Sequence, residues 1–210
     1  MPYFKNDKIN LLFIHIPKTG GTSLELYFSK RYNIKLSTKT LFGWLPKEEH
    51  TYDSSLQHLT YNTIFKNRFK DKFNVNFNNI KIMAIVRNPY KRLVSDLFYF
   101  KKININSTKE ETTEVIKQYL SNDKLDNHNL PQYKFLTDIN KKLIPNISIL
   151  HTETLTADMH KLNFKNFSNH DNKNKKIINY FDYLNDNSIK LINDFYDYDF
   201  KLFKYKKKLI

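Results

Sequence analysis

The stretch INLLFIHIPKTGGTSLELYF, residues 9–28, constrains the fold more than any other part of this chain. Its apolar run, residues 9–16, is stopped by Pro17, whose ring fixes the backbone and removes an N–H. A short apolar run of this kind reads as a strand buried on both faces in a parallel sheet. From Thr22 onward, Leu24, Tyr27, Phe28 and Tyr32 recur at near-helical spacing. The order strand, glycine-bearing turn, helix points to an α/β fold. Such a turn aims several backbone N–H groups at one spot, and the helix dipole adds partial positive charge there. The residues in the turn suit an oxyanion: Gly20 and Gly21 permit close backbone approach, Lys18 supplies a point charge, and Thr19, Thr22 and Ser23 carry hydroxyls. The turn is not a Walker A loop, because the lysine precedes the glycines and the first glycine of GxxxxGK[ST] is missing, which disfavours ATP.

A second unit of the same design follows. Residues 80–86 form another buried strand, Asn88 is suited to cap the next helix, and Pro89 fits its first turn. Tyr90, Leu93, Val94, Leu97 and Phe98 make that helix's core stripe. Arg87, at the strand end, offers a bidentate fork for a phosphate, and Ser95, two turns into the helix, offers a hydroxyl. Arg92 either lines the same flank or faces water. A third strand is expected at 147–150, with helices near 113–120, 131–139, 157–162 and 188–196. Residues 36–79 are expected to be a substrate-facing insertion, and 169–176 a surface loop. With no repeat and no convincing linker, residues 1–210 read as a single domain, a central parallel sheet flanked by helices, with nucleotide at the strand C-termini.

A formal net charge of +14 makes anions the natural partners: nucleotides, acidic glycans, nucleic acid or membrane surfaces. The absence of cysteine excludes disulfides, thiolate metal sites and cysteine nucleophiles. No HxH, HExxH or carboxylate-rich cluster marks a metal site, so none is expected. The first residues lack a signal-peptide layout and no apolar run approaches the roughly 20 residues of a membrane span, which predicts a soluble intracellular chain.

The segment FIHIPKTGGTSL closely resembles the 5'-phosphosulfate loop of the sulfotransferases that use 3'-phosphoadenosine-5'-phosphosulfate (PAPS), particularly the carbohydrate branch that includes heparan sulfate 2-O-sulfotransferases. AIVRNPYKRLVSDLF resembles that family's 3'-phosphate signature, in which an arginine and a serine grip the cofactor. HNLPQYKFL resembles its H-x-x-P-Q segment near the substrate cleft, ILHTETLTADMHKL its strand, glutamate and helix, and INDFYDYDFKLFKY its C-terminal helix and aromatic ending behind the cofactor site. The resemblance implies a P-loop-like sulfotransferase fold. It also implies transfer of a sulfuryl group from PAPS to a carbohydrate or glycoconjugate hydroxyl, leaving adenosine 3',5'-bisphosphate (PAP), and the positive charge of the chain suits an anionic acceptor. Lys18, Thr19, Gly20, Gly21, Thr22, Ser23, Arg87 and Ser95 would then bind the cofactor, with Lys18 also stabilising the departing phosphate. His128 and Gln132 become acceptor-side candidates.

In relatives resembling this chain the base lies between the two phosphate motifs, which favours His58 in SSLQHLTYNTIF. A histidine is suited to take the acceptor's proton if it comes within reach. His15, inside the first strand, reads instead as a satisfied core histidine. Three other readings stay open at this level: a P-loop-like ATP-dependent kinase, a basic polyanion- or nucleic-acid-binding protein suggested by KLFKYKKKLI, and a relative that keeps the cofactor site without catalysis.

Overall fold

The computed structural model describes residues 2–37, 55–66, 75–122, 125–168 and 179–210. Most of the 36–79 insertion and all of the expected loop at 169–176 lie outside the described residues. Four strands form one sheet in the order β1-β2-β3-β4: β1 (Tyr3–Asn6), β2 (Ile9–Ile14), β3 (Lys81–Val86) and β4 (Ile147–His151). The three expected strands pair in parallel, with Ile14 opposite Ala84 and Val86 opposite His151. The sequence reading missed β1, which pairs antiparallel with β2 at the sheet edge. Its hairpin closes because the Asn6 side chain accepts from the N–H groups of Lys8 and Ile9 at 2.9 and 3.1 Å, a turn that asparagine makes from its own side chain.

Alternation along the strands divides the core. Leu12, Ile14, Ile82, Ala84 and Val86 face Leu56, Phe135, Leu136 and Phe203 on one side of the sheet. Leu11, Phe13, Met83 and Ile85 face helices α1 (Gly21–Tyr32) and α6 (Leu155–Lys161) on the other, through Leu24, Phe28, Leu155 and Met159. Each such large side chain contributes about 1.5–3 kcal/mol when fully buried. A third cluster holds α3 (Pro89–Tyr99), α4 (Lys109–Leu120), α7 (Asp186–Phe195) and α8 (Asp197–Leu202) together through Tyr90, Val94, Leu97, Ile116, Ile192 and Phe200. Among the described residues two further short helices are α2 (Tyr61–Lys66) and α5 (Tyr133–Leu136).

Helix starts follow local chemistry. Asn88 caps α3 by accepting from the N–H groups of Tyr90 and Lys91, with Pro89 in the first turn. α4 begins earlier than expected because Thr108 and Glu111 form a capping box, as do Asn185 and Ser188 at α7. The helix expected over 131–139 is shorter, ending at Leu136. Asp138 then accepts from the N–H groups of Asn140 and Lys142, and Thr137 bridges to Leu143. Among the described residues no helix is long and apolar enough to cross a membrane.

Candidate active site

All three parallel strands release their chains at the same edge of the sheet, and the released segments are stitched together. The turn after β2 has Lys18 at φ 64° and Gly20 at φ 94°, both in the left-handed region. Glycine adopts that conformation freely; a lysine held there is a local strain of the kind found at functional sites. The Thr152 hydroxyl, just past β4, donates to the Thr19 carbonyl at 2.6 Å and to the Val86 carbonyl at 3.2 Å. Arg87, just past β3, donates from one guanidinium nitrogen to the Lys18 carbonyl at 3.0 Å and from the other to the Tyr180 hydroxyl at 3.1 Å. Lys18 and Arg87 therefore share one end of the sheet.

The cations there are left open. Among the described residues neither Lys18 nor Arg87 forms an ion pair. The N-terminus of α1 has no capping side chain and no acidic residue in its first turn, and the Ser23 N–H turns back to the Gly20 carbonyl at 3.2 Å. Burial holds the Lys18 ammonium below the usual lysine range; Asp96 opposes that shift and the Arg87 guanidinium adds to it. The Lys18 Nζ rests 4.2 Å from the ring centre of Tyr99, an exposed residue at the end of α3.

Not every expected donor is available. Thr19 is fully buried and its hydroxyl donates to the Ile16 carbonyl at 2.8 Å, so it braces the turn from inside. Ser23 is buried and Thr22 exposed at the helix start; Ser95 is half-buried on α3. Gly21 serves packing: a Cβ there would stand 2.6 Å from His15 Nε2, so the missing side chain makes room for the imidazole. Arg92, expected to flank the phosphate or face water, does neither. It is 3% exposed and donates to the carbonyls of Pro17, Leu130 and His128 at 3.0, 2.9 and 2.6 Å, tying the turn after β2 to the 128–130 segment. Gln132, expected at the acceptor, is fully buried, with its amide spent on both sides of the Arg87 backbone, 2.9 Å to the N–H and 2.9 Å to the carbonyl. Its own N–H is held at 2.8 Å by Asp199 from α8, whose carboxyl burial pushes up to about 6. Gln132 and Asp199 thus form a brace that sets Arg87.

Beside the cations lies a row of three imidazoles, His15, His58 and His128. Neighbouring ring centres are 5.4 and 4.9 Å apart and the rings meet edge to face. Each Nδ1 is held by a carboxylate from elsewhere in the chain: His15 by Glu25 at 2.5 Å, His58 by Asp126 at 2.7 Å and His128 by Asp96 at 2.7 Å. His15 is also met by Gln57, which donates to both Glu25 oxygens, in keeping with a satisfied core residue. His58 sits on the one-turn 3-10 helix Leu56–His58, and burial pulls its pKa down to about 4 against the pull of Asp126, leaving a neutral imidazole at pH 7. His128 stacks on Tyr99 with ring centres 5.6 Å apart and planes within 7°, which links the histidine row to Lys18.

His58, Asp126 and His128 offer ligand atoms that all lie within 4.8 Å of one another, a grouping the sequence reading did not foresee. Asp126 is already occupied: it accepts from the Ser55 N–H at 2.5 Å, the Ser55 hydroxyl at 2.9 Å and the His58 ring. A metal bound there through Asp126 would compete with those donors for the carboxylate oxygens. Asp126, Asp96, Glu25 and Gln57 were absent from the sequence-level candidates. The only local signal was DNHN at 126–129, a cluster of turn-forming residues directly before the recognised histidine segment.

The arrangement combines two cations at the strand ends, with no ion-pair partner among the described residues, and a neutral, carboxylate-oriented histidine linked to them through Tyr99 and His128. No curated protein and no solved structure gives a significant match to the chain. A family model described as the sulfotransferase family matches residues 1–206, and the chain belongs to that family.

Proposed function

We propose that the protein moves the sulfuryl group of PAPS to a hydroxyl of a carbohydrate or glycoconjugate. The observation that carries this reading is the meeting of Lys18 and Arg87, with the Arg87 guanidinium bonded to the Lys18 carbonyl at 3.0 Å beside an uncapped helix N-terminus. Two cations that no described carboxylate neutralises suit a ligand with anionic groups at two places, as adenosine with 5'- and 3'-phosphates has. Lys18, Gly20, Gly21, Thr22, Ser23 and the first N–H groups of α1 hold the 5' side in this reading. Thr19 braces the turn from beneath, while Arg87 and Ser95 hold the 3'-phosphate.

PAPS supplies an activated sulfuryl group, and no metal is assigned a step. The sulfur–oxygen bond to the donor breaks as one to the acceptor oxygen forms, and the acceptor's proton passes to His58 Nε2. Lys18 meets the charge that gathers on the departing phosphate, where a preformed cation is most effective. His58 suits the base because it is unprotonated at neutral pH and oriented by Asp126; burial holds its pKa at about 4, and an anion bound beside it raises its basicity toward the working pH. The +14 charge favours an anionic acceptor.

Ligand-induced thermal stabilisation tests the donor. PAP at 100 times its dissociation constant should add about 2.7 kcal/mol to stability, with ADP far less effective at the same concentration. Arg87→Ala should erase PAP's advantage. Equal stabilisation by ADP would instead favour an ATP-dependent phosphotransferase.

A further inference from the structure

We propose that Asp126 is a positioning residue for transfer: its carboxylate locks His58 in the tautomer with hydrogen on Nδ1 and a bare Nε2 able to accept a proton. The inference rests on the reading of His58 as base.

Three donors converge on this carboxylate. The Ser55 N–H reaches Oδ1 at 2.5 Å, and Oδ2 receives the Ser55 hydroxyl at 2.9 Å and His58 Nδ1 at 2.7 Å. An ionised carboxylate only accepts, so the hydrogen between Asp126 and His58 belongs to the ring. The donors from Ser55 and His58 hold the Asp126 carboxyl below the usual carboxylate range against the burial that pushes it up, in agreement with that assignment. Because burial keeps His58 singly protonated at neutral pH, a hydrogen on Nδ1 leaves Nε2 with its lone pair.

The mount for Asp126 is specific to the task. Asp126 and Asn127 are consecutive left-handed residues, at φ 48° and 62°, a conformation that aspartate and asparagine tolerate better than other side chains bearing a Cβ. That turn grips His58 at both ends, since Asn127 Nδ2 donates to the His58 carbonyl at 2.9 Å while Asp126 holds the ring. The ring is wedged between His15 on one side and His128 on the other, which opposes reorientation. His15 has the same carboxylate arrangement, but its Nε2 is packed against Gly21.

Substituting Asp126→Asn isolates the effect. The Ser55 N–H needs an acceptor, so the asparagine carbonyl stays on Ser55 and its NH2 turns to His58, where it can only donate. Nδ1 then becomes the acceptor and the proton moves to Nε2. Nitrogen-15 NMR of the imidazoles should show His58 as the Nδ1–H form in the native protein, as the Nε2–H form in Asp126→Asn, and unchanged in Ser55→Ala. Turnover of Asp126→Asn should fall about 100-fold or more, with the KM for PAPS and the stabilisation by PAP nearly unchanged. Asp126→Glu, which keeps an acceptor, should recover part of the turnover and the native tautomer, and it serves in place of Asp126→Asn should that variant not fold. An unchanged His58 tautomer in Asp126→Asn overturns the inference, as does a switched tautomer with full turnover when His58→Ala is inactive. Full turnover in His58→Ala removes the base reading itself, a result independent of the NMR outcome.

Discussion

The two ends of the candidate site solve opposite electrostatic problems. At the cationic end, Lys18 and Arg87 are bonded to neutral partners, a carbonyl, a phenol and an aromatic face, and no described carboxylate neutralises them. At the histidine end, every ring has its own carboxylate and all three are buried. Charge left open awaits a ligand that brings its own; a carboxylate bonded to each ring sets orientation before any ligand arrives. In the proposed reaction the ends take separate tasks, anion capture and proton handling, although Tyr99 and His128 join them in one continuous contact.

Lys18→Ala is the strongest way to break that contrast. If the cationic end exists for a ligand, turnover should fall on the order of a thousand-fold, as for loss of a preformed transition-state donor. Stability should not suffer, because a partly desolvated cation without a carboxylate partner is removed; steady-state kinetics beside thermal unfolding reads both. A large loss of stability with turnover retained would make Lys18 structural and erase the difference between the two ends.

The same contrast explains what could be read from the chain alone. The cationic end is built from short consecutive segments at two strand ends, HIPKTGGTS and RNPY, so its donors, glycines and strand context are adjacent in sequence. The histidine end is assembled from separate segments: Glu25 from α1, Gln57 and His58 from the 55–58 turn, Asp96 from α3, and Asp126 and His128 from a turn more than 60 residues after His58. No local spacing encodes those pairings. The bracing contacts of Arg92 and Gln132 were not legible for a related reason, because long polar side chains near a site look like ligand groups until their partners are seen. Here those partners are backbone carbonyls and the Arg87 peptide. Edge strand β1 was missed because four residues carry too little periodicity to register.

Acidification probes the histidine end next. His58 titrates near 4 in the folded protein, largely through burial, and at the ordinary value of 6.5 when unfolded. Between those values the unfolded chain holds more protons, so stability is intact above pH 6.5 and declines as pH falls toward 4, where the loss levels off. The full difference is on the order of 3 kcal/mol. Asp126 adds a smaller loss of the same sign at lower pH, since its folded carboxyl is also depressed. Urea midpoints for wild type and His58→Gln at pH 7.5 and 4.5 check this. The variant should lose distinctly less stability on acidification, and parallel losses would show that the His58 ring is not protected from protonation.

Gly21→Ala acts where the two ends touch, and its effect should be the smallest. An added Cβ would lie 2.6 Å from His15 Nε2 and 2.7 Å from two ring carbons, while Glu25 pins that ring from the far side at 2.5 Å. The ring cannot retreat without leaving Glu25 or pressing on His58, so the substitution should cost about 2 kcal/mol, as overpacking commonly does. If the clash is the cause, His15→Ala should absorb it, and Gly21→Ala should cost almost nothing in that background. Gly20→Ala is the control: its Cβ would meet only Leu155 Cδ2 at 3.8 Å, and its cost comes from φ 94°. His15→Ala should leave that cost unchanged. A double-mutant cycle in which both glycines respond alike to His15→Ala would place the coupling in the turn's backbone and not in the imidazole row, separating the two ends at the point where they are argued to meet.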